Sequence, residues 1–363
     1  MIPLFKVHKP HNVGSIIEEV FDTGIIGEGV YSSLFESHLS SYIGNENISV
    51  LNSCTSALTL AYLMCGISAG DEVITTPMTC TATNQPLLSL GATIVFSDID
   101  PETGNIDPND IRKKITSKTK AIVGVHWGGQ PYDIHSINEI SNEFSIPVIQ
   151  DAAHALGAEY DDILIGNYGD FVCFSFQAIK HITTGDGGAI CSKSKFHKEK
   201  IDKMRWFGID RKNNDGSRWE QDIEMQGYKF HMNNISASIG LLQLGYLPEI
   251  IQKHRSNGCI YDNTINNQKI KLLKRPYKSK SSFWIYSLLI NDDPFRFKKY
   301  MHEHGIEVDR VHIRNDYYSI FKPFAKDNLL GLNEFSNKLM NIPVGWWLSD
   351  KDRDYIVDTV NNY

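Results

Sequence analysis

Between residues 48 and 192 short apolar runs alternate with longer stretches that mix apolar and polar positions. The runs are 48–51 (ISVL), 73–75, 93–97 (TIVFS), 121–125 (AIVGV), 147–150 (PVIQ), 171–176 (FVCFSF) and 188–191 (GAIC). They are too short for buried helices and lack the strict alternation of a half-exposed strand. Near-continuous apolar strands of this kind, separated by helical stretches such as the one opening at Ser56, predict a mainly parallel seven-stranded sheet covered on both faces. In such a sheet ligands gather beyond the carboxyl ends of the strands.

The pattern changes in the second half. Residues 234–268 predict long helices interrupted by Pro248. Residues 281–290 (SSFWIYSLLI) predict a strand, 295–304 a helix and 306–311 another strand. Helices are expected over 333–340 and 349–360. The expectation is a large α/β domain over 1–245 and a smaller α+β domain over 246–363.

Composition narrows the class. The chain has 363 residues, 41% hydrophobic and 22% charged, with a net charge of −7. That is ordinary for a globular protein and gives no pull toward nucleic acid or acidic membrane surfaces. No run approaches the roughly 20 apolar residues of a membrane span, and the opening MIPLFKVHKP lacks the apolar core of a signal peptide. The cytoplasm is the expected compartment. The six cysteines form no CxxC pair, so neither a disulfide framework nor a metal site is expected.

Three segments carry candidate chemistry. In 174–188 (FSFQAIKHITTGDGG) a strand end is followed by Lys180 and a glycine-rich loop. A lone loop lysine is usually a solvated charge. A lysine desolvated at a strand end is instead a nucleophilic amine, and the glycines let backbone approach a ligand. In 148–154 (VIQDAAH) a strand runs into Asp151, where a carboxylate can keep a pyridine nitrogen protonated. In 52–58 (NSCTSAL) a strand end opens a helix whose backbone N–H groups suit a phosphate. The bland readings are an ordinary cap for Asp151 and an N-cap for Ser53 or Thr55. A dinucleotide fingerprint does not fit, because GDGG precedes an apolar strand and does not open a helix after the first strand.

Taken in order along the chain, GIIGEGVYSSLFE, NSCTSAL, GDEVITTPMTCTATN, SDIDPETGNID, VIQDAAHALGA, GNYGDFVCFSF, KHITTGDGG and GYKFHMNNISASIGLLQL resemble the DegT/DnrJ/EryC1/StrS sugar aminotransferases. The resemblance runs nearly end to end and implies a fold-type I pyridoxal-phosphate (PLP) transferase. It makes Lys180 the lysine that carries PLP as a Schiff base and Asp151 the partner of the pyridine nitrogen. His154 lies by the ring and its phenolic oxygen. Ser175, Thr55 and Ser56 hold the phosphate. Asp186 stands at the acidic position near the substrate. Cys80 occupies the place where many members stack an aromatic residue on the ring. Lys229 replaces the asparagine that, in the family, crosses from a partner subunit to the phosphate. His312, in VHIRNDYY, falls in the segment expected near the substrate.

The implied reaction is ping-pong. L-glutamate leaves its amino group on the cofactor as pyridoxamine phosphate, which then aminates a ketone of a nucleotide-linked sugar. ITTGDGG resembles members acting at C4 of 4-keto-6-deoxy sugars, such as perosamine or viosamine synthases; amination at C3 of a 3-keto sugar is the alternative. A dehydratase branch carries histidine in place of the lysine, but a shift to His181 would spoil the spacing to both Ser175 and the glycines. A PLP-binding regulatory relative is the remaining alternative. The family also implies a homodimer with shared active sites.

Overall fold

The computed structural model describes residues 1–211 and 220–363. Its strands are β1 (Ile48–Leu51), β2 (Glu72–Thr75), β3 (Thr93–Phe96), β4 (Thr119–Val125), β5 (Val148–Asp151), β6 (Glu159–Tyr160), β7 (Ile163–Leu164), β8 (Phe171–Ser175), β9 (Gly188–Ser192), β10 (Ile270–Leu272), β11 (Ser279–Lys280), β12 (Tyr286–Ile290) and β13 (Leu339–Ile342). Seven form one sheet in the order β1-β9-β8-β5-β4-β2-β3. The neighbours from β8 to β3 pair in parallel, and β9 runs antiparallel between β1 and β8. These are the seven runs picked out by their apolar pattern, and β1, β5, β8 and β9 are buried along their whole length.

Helices cover both faces. Helix Cys54–Met64 buries Cys54, Ser56, Ala57, Leu58, Leu60, Ala61 and Tyr62, which explains its lack of an amphipathic stripe. Helix Val30–Ile43 places Phe35, Leu39 and Ile43 in the core on the opposite side. The chain reverses after β1 and β5, and helices or turns begin there, so Asn52–Ser56 and Asp151–His154 meet at one edge of the sheet.

The second half departs from the sequence pattern in four places. The strand predicted over 281–290 begins only at Tyr286. Before it, Phe283 takes φ +47°, and Ser282 and Ile285 donate their N–H groups to the carbonyls of Gly129 and Gly128. The stretch 306–311 is not a strand: it makes single bridges at Ile306, to Ile2, and at Asp309, to Asn341. Leu339 and Met340 leave the preceding helix, Leu330–Lys338, and pair with Leu289 and Leu288. The break near Pro248 falls at Gly245–Tyr246, and the proline sits in the first turn of helix Leu247–Thr264, where its missing N–H costs nothing. Helices Pro294–Glu303 and Asp350–Asn361 lie within a residue or so of expectation. The helix Val13–Asp22 and the small sheet β11-β6-β7 had no expectation behind them.

Candidate active site

Asp151 is the last residue of β5 and is 4% exposed. Its Oδ1 accepts from the Ala153 N–H at 3.0 Å and its Oδ2 from the Thr83 hydroxyl at 2.6 Å. Burial raises its pKa, and the Thr83 hydroxyl, the Ala153 N–H and the Lys180 ammonium oppose that rise. A carboxylate held this deep gains from a cationic or N–H partner.

Lys180 closes a tight turn after β8, its N–H donating to the Gln177 carbonyl at 2.9 Å. Burial pushes its amine down to about 8, against the pull of Asp151. Its Nζ lies 3.7 Å from the Trp284 ring centre. Trp284 is itself pinned, its indole N–H donating to the Ile179 carbonyl at 2.8 Å.

His154 stacks on Trp284 with ring centres 3.8 Å apart and planes 14° from parallel. Its Nε2 lies 3.3 Å from His312 Nε2. Burial, with Lys180 second, drives the pKa of His154 far down, and the same two causes hold His312 at about 3. Both imidazoles are therefore neutral at physiological pH, so one Nε2 donates to the other. His154 Nδ1 is buried without a hydrogen-bond partner.

The third wall is the start of helix Cys54–Met64. Ser53 caps it, accepting from the Ser56 N–H at 3.0 Å, and Ser56 Oγ donates to Asn52 Oδ1 at 2.7 Å. Thr55 is exposed at the same turn. Gly188 lies against this cap: a Cβ there would come within 2.4 Å of Ser53 C and 2.5 Å of Cys54 N, both backbone atoms. Gly188→Ala therefore forces the strand away from the helix start. An overpacking cost of about 3 kcal/mol is expected in urea unfolding of the protein, with weaker cofactor binding. Stability equal to wild type would show that the close approach is dispensable.

Ser175 ends β8 opposite Gly188, buried, and accepts from the Gln177 N–H at 3.3 Å. Cys80 is the half-buried N-cap residue of helix Thr81–Ser89 and faces Lys180 electrostatically. Lys229 is exposed, its carbonyl accepting from Asn52 Nδ2 at 3.3 Å, which sets its backbone beside the helix start. Asp186 is exposed on the turn between β8 and β9, where its carbonyl accepts from the Thr184 hydroxyl. The geometry thus joins Lys180, Asp151, His154 and His312 into one cluster and Ser175, Ser56 and Thr55 into a neighbouring one. Lys229 and Asp186 stand at the solvent side.

Two participants were not anticipated, Trp284 and Thr83. Trp284 lies in a stretch whose pattern says only "apolar strand". Thr83 looks like any polar residue opening a helix. Arg314 and Asp316, to which the sequence assigned no role, form a buried bidentate pair at 2.7 and 2.6 Å. No His/Cys/Asp/Glu group suited to a metal ion occurs among the described residues.

A lysine amine with lowered pKa, a buried carboxylate at a strand end and a helix start pressed on glycine backbone, all at one edge of a mainly parallel sheet, define a fold-type I PLP transferase. The protein is an aminotransferase, and it belongs to the DegT/DnrJ/EryC1/StrS aminotransferase family, whose model matches residues 11–361. It is 32% identical over 334 residues to the UDP-4-amino-4,6-dideoxy-N-acetyl-β-L-altrosamine transaminase of Helicobacter pylori, covering 90% of this chain and 88% of the relative. It is 28% identical over 374 residues to the GDP-perosamine synthase of Vibrio cholerae, covering 100% and 99%. Among solved structures, AtS13 from Actinomadura melliaura superposes with a TM-score of 0.95 at 36% identity, covering 100% of this chain and 99% of that one. No helix among the described residues is long and apolar enough to cross a membrane.

Proposed function

We propose that this aminotransferase uses PLP to move the amino group of L-glutamate to the C4 ketone of a nucleotide-linked 4-keto-6-deoxyhexose, giving a 4-amino-4,6-dideoxy sugar nucleotide. The observation that carries the reading is the Lys180 amine, lowered to about 8 and facing the buried Asp151. A lowered lysine pKa leaves more of the amine unprotonated and nucleophilic near neutral pH than an ordinary lysine has.

The residues fit the cofactor. Asp151 would hold the pyridine nitrogen, and His154, with its unpartnered Nδ1, the phenolic oxygen. Thr55, Ser56 and Ser175 would hold the phosphate, with Lys229 as a further cation. Cys80 would border the ring. When bound, PLP supplies the electron sink that stabilises the carbanion left as a Cα–H bond breaks. Lys180 Nζ would take up the proton leaving the donor's Cα and hold it as an ammonium until it is delivered to the cofactor side, not back to Cα. Asp151 stays ionised and balances the charge on the pyridine nitrogen. The neutral His154–His312 pair adds no positive charge beside the lysine, so the amine is not pushed lower still. His312 and the exposed Asp186 are the residues proposed to meet the sugar nucleotide.

The choice of C4 is supported by the 4-amino-4,6-dideoxy sugar in the name of the H. pylori relative and by ITTGDGG after the lysine. A homodimer is supported by the apolar side chains that Ile25, Ile26, Val30 and Leu34 leave exposed on the N-terminal segment. The test is incubation with PLP, glutamate and 4-keto-6-deoxyhexoses linked to GDP, UDP or dTDP, beside a 3-keto counterpart, with the new amine located by NMR. Nitrogen at C4 is the expected product. Nitrogen at C3, formed only from the 3-keto sugar, overturns the assignment.

A further inference from the structure

Asp151 is held on one side by chemistry local to its own turn, the Ala153 N–H on Oδ1. On the other side the donor comes from 68 residues earlier in the chain, the Thr83 hydroxyl at 2.6 Å from Oδ2. Thr83 Oγ1 is in turn 2.7 Å from Thr79 Oγ1. An ionised carboxylate only accepts, so the Thr83 proton points at Asp151 and the Thr83 oxygen accepts from Thr79. That fixes the direction of both hydroxyls.

The surroundings hold this relay in place. The Thr83 carbonyl accepts from the Tyr62 hydroxyl at 2.7 Å. The Thr79 carbonyl accepts from Asn315 Nδ2 at 2.7 Å, and Asn315 Oδ1 accepts from Asn84 Nδ2 at 2.9 Å. The Asn315 N–H donates to the Pro77 carbonyl at 2.7 Å. Thr79, Thr83, Asn84 and Asn315 are each at most 1% exposed. Buried hydroxyls and amides cost free energy unless paired, and valine would fill the space of either threonine. The network is more elaborate than packing needs, and its inner end is the site carboxylate.

We propose that Thr83 is a positioning residue for Asp151, with Thr79 as its outer donor: the hydroxyl relay orients the carboxylate and supplies a hydrogen bond that favours its charged form. The proposal rests on Asp151 being the partner of the pyridine nitrogen.

The groups that face Asp151 set the sign of the expected effect. They are the Lys180 amine, the Cys54 and Cys173 thiols and the Tyr62 phenol. Burial pushes the two thiols and the phenol far up, so they remain neutral. Burial also raises Asp151, and the Thr83 hydroxyl opposes it. Removing that hydroxyl moves the carboxylate further up, so the charged form is lost at a higher pH as acid is added.

The readout is the affinity of the apoprotein for PLP, followed by absorbance as a function of pH in wild type, Thr83→Val, Thr83→Ser, Thr79→Val and Asp151→Asn. The acid limb of the affinity profile is expected to move up by about one pH unit in Thr83→Val and to return in Thr83→Ser. A Thr83→Val profile superimposed on wild type, with Asp151→Asn impaired, overturns the positioning role. Asp151→Asn binding PLP with the wild-type profile overturns the reading of Asp151 beneath it. If circular dichroism shows that Thr83→Val does not fold, Thr79→Val carries the test. A smaller upward shift there supports the relay, and an unchanged limb overturns it.

Discussion

Lys180→Ala is expected to lower the glutamate half-reaction by at least about 10⁴-fold, since in the proposed function Lys180 is both the covalent anchor and the proton-transferring amine. The fold should survive. Lys180 is half-buried on a turn, and alanine leaves the backbone hydrogen bond to Gln177 in place. The buried carboxylate of Asp151 loses its cationic neighbour, so its pKa should rise further. Borohydride treatment, which reduces a lysine-bound cofactor in place, should leave none attached to the variant. Lys180→Arg restores the charge but not a titratable amine and should be equally inactive. Single-turnover absorbance with glutamate separates the two losses. A Lys180→Ala protein that still fixes cofactor under borohydride would move the anchor elsewhere, with His181 excluded because imidazole forms no such bond.

Asp151→Asn is the second large effect. The amide is nearly isosteric, but only its one oxygen accepts. It can keep the Ala153 N–H, while the amide nitrogen then faces the Thr83 hydroxyl, which must turn its proton toward Thr79, so a modest stability loss of about 1 kcal/mol is expected. It carries no charge to hold a protonated pyridine nitrogen. Losing a preorganised charge of this kind typically costs about 10²–10³ in rate, and a loss of that size is expected in the glutamate half-reaction. Cofactor attachment through Lys180 should persist, which distinguishes this variant from Lys180→Ala. Rapid-mixing absorbance measures the step directly. A rate within twofold of wild type would remove Asp151 from the chemistry.

Much of the fold was legible because burial on both faces writes itself into the strands as unbroken apolar runs. The sheet strands β4, β5 and β8 stand out this way. The second half was less legible because its backbone pairing is decided by distant partners. Residues 306–311 have the composition of a strand, yet the N-terminal residue Ile2 takes the available pairing, the Ile2 N–H donating to the Gly305 carbonyl and the Glu307 N–H to the Ile2 carbonyl. Leu339 and Met340 continue a helical pattern, but β12 offers them a ladder.

The site divides in the same way. Lys180, Asp151, Ser56 and Ser175 sit at strand ends or a helix start, positions that chain order alone exposes. Trp284 meets Lys180 and His154 across more than 100 residues, and Thr83 meets Asp151 across 68. Nothing local marks either one, since a tryptophan in an apolar run and a threonine opening a helix are both ordinary. The pairing of His154 with His312 is likewise a product of tertiary folding. It shows that His312 reaches the site by way of a neutral imidazole contact, a detail that VHIRNDYY does not carry.

The most direct test of the account is the absorbance spectrum of the purified protein with PLP, before and after L-glutamate. A visible band that requires Lys180, and that glutamate bleaches as the cofactor takes up the amino group, is expected. A protein that forms no such band, or whose band glutamate leaves unchanged, would contradict it.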